Sequence, residues 1–337
     1  MSFNFKKPFI IAEIGNNHEG NFHNANKLIL KASECGVDAV KFQTFIPELY
    51  TNLIDKKRIK RLKKFQLTNE EFFNLSKNAK SKNLKFISTP LDLKSAIFLN
   101  KIVDYFKISS GDNNYYELID KVLSFKKKTI ISTGLLDKKN LDNFMNYLLK
   151  KKISKDKLAI LHCVSSYPTK IQHVNLKRIE YIKKKYNVKT GFSDHSIGLS
   201  ASIKSLFYGA EIIEKHFTLK NNFSSFRDHK LSLNPKDMKL MVNLIDEIYQ
   251  LKNNFSEKLS KDEKNNTKEM RRSNYWACDL RKGEIISQKN IKYVRPFNKL
   301  SLHKTKEIIG GTVKKDCHIN TPIKKNDITL KTRQWKL

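Results

Sequence analysis

The chain has 337 residues, 39% of them hydrophobic, enough to pack one large α/β domain and a small second one. It carries 66 Lys and Arg against 33 Asp and Glu, a formal net charge of +33, but the lysines run through its whole length among asparagines and isoleucines; this reads as compositional bias, not as a nucleic-acid-binding tract, and such a surface still draws in anionic substrates. No apolar run reaches the ~18 residues that crossing a bilayer takes, so no membrane association is expected, and four widely spaced cysteines without CxxC spacing (Cys35, Cys163, Cys278, Cys317) fit a reduced cytoplasmic setting and argue against a disulfide frame or a zinc ribbon.

The opening stretch, MSFNFKKPFIIAEIG, has too short an apolar run for a secretory leader and reads as the way into a first strand. Strand patterns are expected at 8–14, 37–43, 84–89, 103–109, 128–133, 158–163, 188–193 and 210–216. Helical patterns follow them near 23–35, 69–82, 92–101, 115–126, 137–152, 175–186, 198–208 and 235–252, with a longer loop after the second strand. Eight strand–helix units over about 250 residues point to a (β/α)8 barrel. The alternative is an open doubly wound sheet, which the absence of GxGxxG after the first strand weakens. The barrel is expected over 1–253 and a polar linker, or solvated helix end, over 254–271. Residues 272–337 read as a small β-rich domain, with Gly and Pro punctuation.

Barrel chemistry sits at the C-terminal ends of the strands, and polar residues recur there on all eight. They are Glu13; Lys41 and Gln43; Ser88 and Thr89; Lys107 and Ser110; Ser132 and Thr133; His162, Ser165 and Tyr167; Ser193, Asp194 and His195; and Glu214, Lys215 and His216. A polar ring in a barrel mouth costs desolvation unless it binds something. His195 and His216 end adjacent strands, with Glu214 and Asp194 beside them, as in a divalent-metal pocket. Lys41 and Lys107 would place two ammonium groups in one cavity, which is unfavourable unless an anion joins them. The hydroxyls of Thr89, Ser110, Ser132 and Ser193 suit phosphate or carboxylate oxygens. His162 and Cys163 fit strand packing as well as they fit a site.

These motifs together resemble those of the sialic acid synthase (NeuB-type) family. They are IAEIGNNHEGN (11–21), VKFQT (40–44), STP (88–90), YFKISSGD (105–112), ISTG (131–134), LHCVSSYPT (161–169), GFSDHS (191–196) and EKHFTL (214–219). The tail, KGEIIS…VRP…IIGG…PIKKNDI (282–328), looks like that family's antifreeze-like (SAF) domain. The resemblance implies a (β/α)8 TIM barrel followed by the SAF domain, in a domain-swapped homodimer. It implies a transferase that condenses phosphoenolpyruvate with an open-chain N-acetylated amino sugar. The product would be a nine-carbon 2-keto sugar acid: N-acetylneuraminate, legionaminate or pseudaminate.

The resemblance also implies a divalent metal, manganese or magnesium, on His195 and His216. Lys41, Gln43, Thr89, Lys107, Ser110, Ser132 and Ser193 would hold phosphoenolpyruvate. Glu13 and Glu214 would handle protons and orient the sugar, Ser165, Tyr167 and Asp228 would contact it, and Arg295 would reach it from the partner's small domain. Four positions depart from the family pattern: Ser165 in place of a common Asn, Asp112 in place of a common Glu, FRDHKLS (226–232) with Arg227, and RPFNKLS (295–301) without glycines. All four fall on the sugar side.

Overall fold

The computed structural model describes residues 3, 5–151, 153–253, 256–298 and 305–330. The chain divides into two compact units, 1–253 and 254–337.

In the first unit eight strands pair in chain order, all parallel, and the first closes on the last. They are β1 (Phe9–Gly15), β2 (Ala39–Thr44), β3 (Lys85–Pro90), β4 (Tyr105–Ile108), β5 (Thr129–Ser132), β6 (Leu158–Cys163), β7 (Lys189–Asp194) and β8 (Ile212–His216). The result is the expected (β/α)8 barrel. Both strand faces are buried, which is why the strands read as nearly continuous apolar runs. Ile10, Ala12 and Ile14 of β1, with Val40, Phe42, Phe86, Phe106 and Ile160, face the helices in one large core. The alternate residues Phe9, Ile11, Ala39, Ile87, Ile130, Ala159, Leu161 and Ile212 form a second core. That core plugs the barrel interior.

Period-two alternation puts the next inward position of each strand one layer higher. That layer holds Glu13, Lys41, Thr89, Lys107, Ser132, Cys163, Ser193 and Glu214. The register brings it together across strands: Glu13 pairs with Lys41 and with His216, Gln43 with Thr89, and Ser193 with Glu214. The helices hold this layer in place through amphipathic packing and side-chain caps. The Asn69–Ser81 helix starts with a Thr68–Glu71 capping box and buries Phe72, Leu75 and Ala79. Lys138–Lys150 is capped by Asp137 and buries Leu141, Phe144, Met145 and Leu148.

The stretch expected as a long loop after β2 holds two further helices, Pro47–Tyr50 and Lys56–Phe65. Ten residues rich in lysine obscure the second one, yet Ile59, Leu62 and Phe65 lie three apart behind an Asp55 N-cap. Its buried side chains, Leu62 and Phe65, pack with Phe45 and Leu91.

The second unit begins with a helix, Lys261–Met270, inside the stretch read as linker; Ser260 caps it by accepting from the Glu263 amide. Two two-stranded antiparallel sheets follow. They pair β9 (Ser273–Trp276) with β10 (Ile291–Val294), and β11 (Thr312–Val313) with β12 (Ile328–Thr329). Trp276, Ile286, Ile308, Val313, Ile323 and Ile328 form its core. Parts of the expected small domain, 299–304 and 331–337, lie outside the described residues. Among the described residues no helix is long and apolar enough to cross a membrane.

Candidate active site

A cavity of about 840 Å³ opens at the C-terminal ends of the barrel strands. Its lining includes the expected Glu13, Lys41, Gln43, Thr89, Lys107, Ser110 and Ser132, and also Ser165, Tyr167, Ser193, His195, Glu214, His216 and Asp228. Arg295 belongs to the second unit, where its Nε donates to the Met270 carbonyl at 2.6 Å.

Four buried charges form the floor. Lys41 Nζ lies 2.8 Å from Glu13 Oε2 and 3.6 Å from Glu214 Oε2. Lys107 Nζ donates to Ser132 Oγ at 2.7 Å and stands 3.9 Å from Glu214 Oε1. Ser193 Oγ donates to that same Glu214 oxygen at 2.8 Å. The two lysines were expected to need an anionic ligand between them; two carboxylates of the chain itself already separate them.

The surroundings drive the two carboxyls apart. Burial raises the Glu13 pKa, and Lys41 only partly offsets it. Burial also acts on Glu214, but Lys107 and Lys41 together with the Ser193 hydrogen bond hold its pKa below the usual value. Burial depresses the Lys107 pKa despite Glu214, whereas Lys41 outweighs the same penalty through Glu13 and Glu214 and is raised. Divergent carboxyls in one pocket suit one proton carrier and one permanent anion.

The serine hydroxyls have room because of Gly134. A Cβ there would stand 2.4 Å from Ser165 Oγ and 2.7 Å from Ser110 Oγ. Ser110 Oγ accepts from the Gly134 amide at 3.0 Å and keeps its own hydrogen to donate. Thr89 Oγ1 and Ser165 Oγ are buried without a partner, as groups awaiting a ligand are.

The histidine rings lie 5.4 Å apart, centroid to centroid, and the Tyr167 ring lies tilted against His195, 4.1 Å between centroids. Asp194 does not join them. Alternation turns it outward, where Lys215 Nζ meets it at 3.1 Å with neither side chain exposed, and Ser196 and Ser202 donate to it. His162 also faces outward: its Nε2 donates to the Val174 carbonyl at 2.8 Å and its ring stacks on Phe192. Asp112, which is not among the cavity residues, accepts from Ser109 Oγ.

A model of the NeuB family matches residues 28–257. The chain belongs to the NeuB family. It is 34% identical over 325 residues to an N,N'-diacetyllegionaminic acid synthase of Campylobacter jejuni, covering 92% of this chain and 97% of that one. With a pseudaminic acid synthase of the same species it shares 33% identity over 337 residues, 96% of this chain and 97% of the relative. Its structure resembles that of an N-acetylneuraminic acid synthetase from Leptospira borgpetersenii in complex with citrate. The TM-score is 0.71 at 28% identity, covering 79% of this chain and 94% of the other.

The resemblance implies a divalent metal on His195 and His216, and the chemistry of the two rings bears on whether it fits. His195 Nδ1 lies 2.8 Å from the Val164 carbonyl. A carbonyl only accepts, so Nδ1 carries the hydrogen and Nε2 keeps its lone pair. His216 Nδ1 is buried without a partner. Burial, then the nearby His195 and Lys41, hold the His216 pKa well below the usual value, so its ring is neutral. Among the described residues no group of three or more His, Cys, Asp or Glu could hold a metal. Burial opposes charge on His195 as well, but Cys163 and the Val164 carbonyl outweigh it and raise its pKa. Two imidazoles fit an ion that shares its remaining positions with small ligands.

Reading by motif missed part of this NeuB-family cavity: Asn16, Glu19, Tyr50, Arg58, Arg61, Lys64 and Phe65 also line it. Gly20 ends the NHEG motif at φ +76°, and a Cβ there would lie 1.9 Å from the Lys64 carbonyl oxygen. The glycine lets the end of the basic helix seat directly on the loop after β1.

Proposed function

We propose that this NeuB-family enzyme condenses phosphoenolpyruvate with an open-chain acetamido aldose, releasing phosphate and forming a nonulosonic acid. The observation that carries the reading is the cavity floor. Lys41 and Lys107 stand beside hydroxyls and one acid–base carboxyl, with two imidazoles over them. Lys41, Lys107, Gln43, Thr89, Ser110, Ser132 and Ser193 bind the phosphate and carboxylate. Tyr167, Ser165 and Asp228 face the sugar.

C3 of the enol phosphate attacks the aldehyde carbon. The new C–C bond leaves an alkoxide on the sugar and a cationic C2. Glu13, whose pKa burial raises, serves as the acid that donates to the alkoxide. Water adds to C2 and gives its proton to Glu13. The resulting tetrahedral carbon expels phosphate by C–O cleavage, its hydroxyl proton passing to the departing phosphate oxygen, and leaves the 2-keto group. Glu214 stays ionised, stabilises positive charge at C2 and orients the sugar. The fixed ammonium groups stabilise the departing phosphate without reorganisation. His195 and His216 would hold manganese or magnesium, which when bound polarises the aldehyde carbonyl.

The second unit is read as an SAF-type domain that, exchanged within a cytoplasmic homodimer, offers Arg295 to the partner's sugar; the tail motif and the β-rich core support this. The test is phosphate release from phosphoenolpyruvate against a panel of 2-acetamido and 2,4-diacetamido sugars, with and without a chelator. Turnover that needs the sugar, stops in chelator and is lost in His195→Ala is expected. Release that ignores both sugar and chelator would refute the assignment.

A further inference from the structure

The cavity is lined by one polar side chain that strand alternation would send elsewhere. Glu13 faces the cavity, so strict alternation would turn Asn16, three residues on, towards the helices. The register of β1 against β2 shifts between Glu13, which pairs with Lys41, and Gly15, which pairs with Phe42. Such an irregularity re-aims the side chains beyond it. Gly15 makes the turn possible. Its φ is +54°, and a Cβ there would stand 3.0 Å from Glu13 Oε1 and 3.5 Å from Gln43 Nε2. Asn16 therefore lines the cavity. Asn17 turns away and fastens the loop after β8, its Nδ2 donating to the Phe217 carbonyl at 2.8 Å and to Ser232 Oγ at 3.0 Å.

The Asn16 carboxamide has only one way to lie. Gln43 Nε2 donates to Glu13 Oε1 at 3.3 Å, which turns Gln43 Oε1 towards Asn16. That oxygen only accepts, so it takes Asn16 Nδ2 at 3.0 Å. Asn16 Oδ1 is left over, and it is buried without a partner. A buried amide oxygen is costly to leave without a donor. The enol phosphate cannot supply one, because its ionised phosphate and carboxylate carry only acceptor oxygens. An acetamido aldose can, through a hydroxyl or an N–H. Asn16 is one carboxamide removed from Glu13, as a group some carbons along from the aldehyde would be.

We propose that Asn16 selects the sugar, its Oδ1 taking a hydrogen bond from a hydroxyl or N–H on the sugar's third or fourth carbon. The inference rests on the function proposed above and adds to it a residue that reads the sugar. Glu13 meets the aldehyde end, Gln43 spaces the two groups, and Asn16 admits a donor. It turns away ether, methoxy or carboxylate substituents, which bring only acceptors.

The experiment is a coupling cycle between this side chain and a sugar hydroxyl. It measures kcat/KM at saturating phosphoenolpyruvate for N-acetylmannosamine and its 3-deoxy and 4-deoxy analogues, in wild type and Asn16→Leu. The variant is expected to lose about tenfold with N-acetylmannosamine, the scale of one buried neutral hydrogen bond. That loss is expected to vanish with one of the two deoxy sugars, while the KM for phosphoenolpyruvate stays unchanged. Should Asn16→Leu prove insoluble, Asn16→Ala only trims the side chain and gives the same comparison. An equal loss with all three sugars overturns the proposal; Asn16 then acts through Gln43 on Glu13, or on the attacking water. A change confined to the KM for phosphoenolpyruvate overturns it too, as does no loss at all. If wild type turns over none of the three, calorimetric titration of the same sugars decides the contact. An affinity gap between wild type and variant that one deoxy sugar closes supports it, and any other pattern sinks it. Failure across the whole sugar panel above would instead sink the synthase reading.

Discussion

Glu13 and Glu214 show how one side-chain type takes two roles. They sit in one layer and share Lys41, but only Glu214 also has Lys107 and the Ser193 hydroxyl. The motifs name both residues; they cannot say which has its pKa raised and which lowered, because that depends on partners brought in from other strands. His162 shows the same limit. It sits one residue before Cys163, which lines the cavity, and one strand position decides that it faces the helices instead. Its Nδ1 is buried without a partner, and burial lowers its pKa to about 4. The unfolded ring titrates near 6.5, so between there and about 4 the unfolded chain binds the extra proton and native stability falls as pH falls. Native His162 is fully neutral at pH 7 and carries no penalty there. The window is worth about 3 kcal/mol. Urea melts at pH 7 and pH 5 should show wild type losing more stability between them than His162→Gln, whose side chain can still donate to the Val174 carbonyl. Equal losses would show that other groups govern the acid response.

Among the elements, β7 and β8 illustrate why patterns are easy to read and facing is not. Their positions, and the histidines at their ends, follow from short apolar runs that finish in polar residues. An Asp194 placed beside the two histidines, however, conflicts with strand alternation. One residue on from Ser193 the side chain leaves the cavity and meets Lys215, which alternates out of β8 in the same way. That pair, with neither side chain exposed, fastens the two strand ends that carry His195 and His216. Breaking one partner strands a buried charge, at a cost of about 3–5 kcal/mol. Lys215→Met should therefore lower the melting temperature sharply. Asp194→Asn/Lys215→Met should recover much of the loss, and a double variant no better than the single would show that the pair is not the unit that matters. The basic helix Lys56–Phe65 escaped notice for a different reason. Its apolar positions are few, and its charge resembles the rest of a lysine-rich chain, so only the Asp55 cap and the three-residue spacing marked it.

For the molecule as a whole, the eightfold alternation made the barrel legible, since each crossover has only one sensible way to join parallel strands. The small second unit was legible mainly as a change in composition, and its opening stretch reads equally as a linker or a solvated helix end because nothing in the helix is buried. The net charge of +33 acts at this scale too. An anionic substrate diffusing towards such a protein is accelerated at low ionic strength and less so once salt screens the field. The kcat/KM for phosphoenolpyruvate should fall several-fold between about 20 and 200 mM salt, while kcat changes little. An insensitive kcat/KM would mean that the surface lysines contribute nothing to capture. Finally, Glu13 stands near the C-terminal end of the first strand and pairs in register with His216, the final residue of the eighth. The reacting centre thus joins residues more than two hundred positions apart. During synthesis it has no partial form: a nascent chain acquires the pocket only after its eighth strand has cleared the ribosome and docked on the first, so the onset of activity times the closing of the ring.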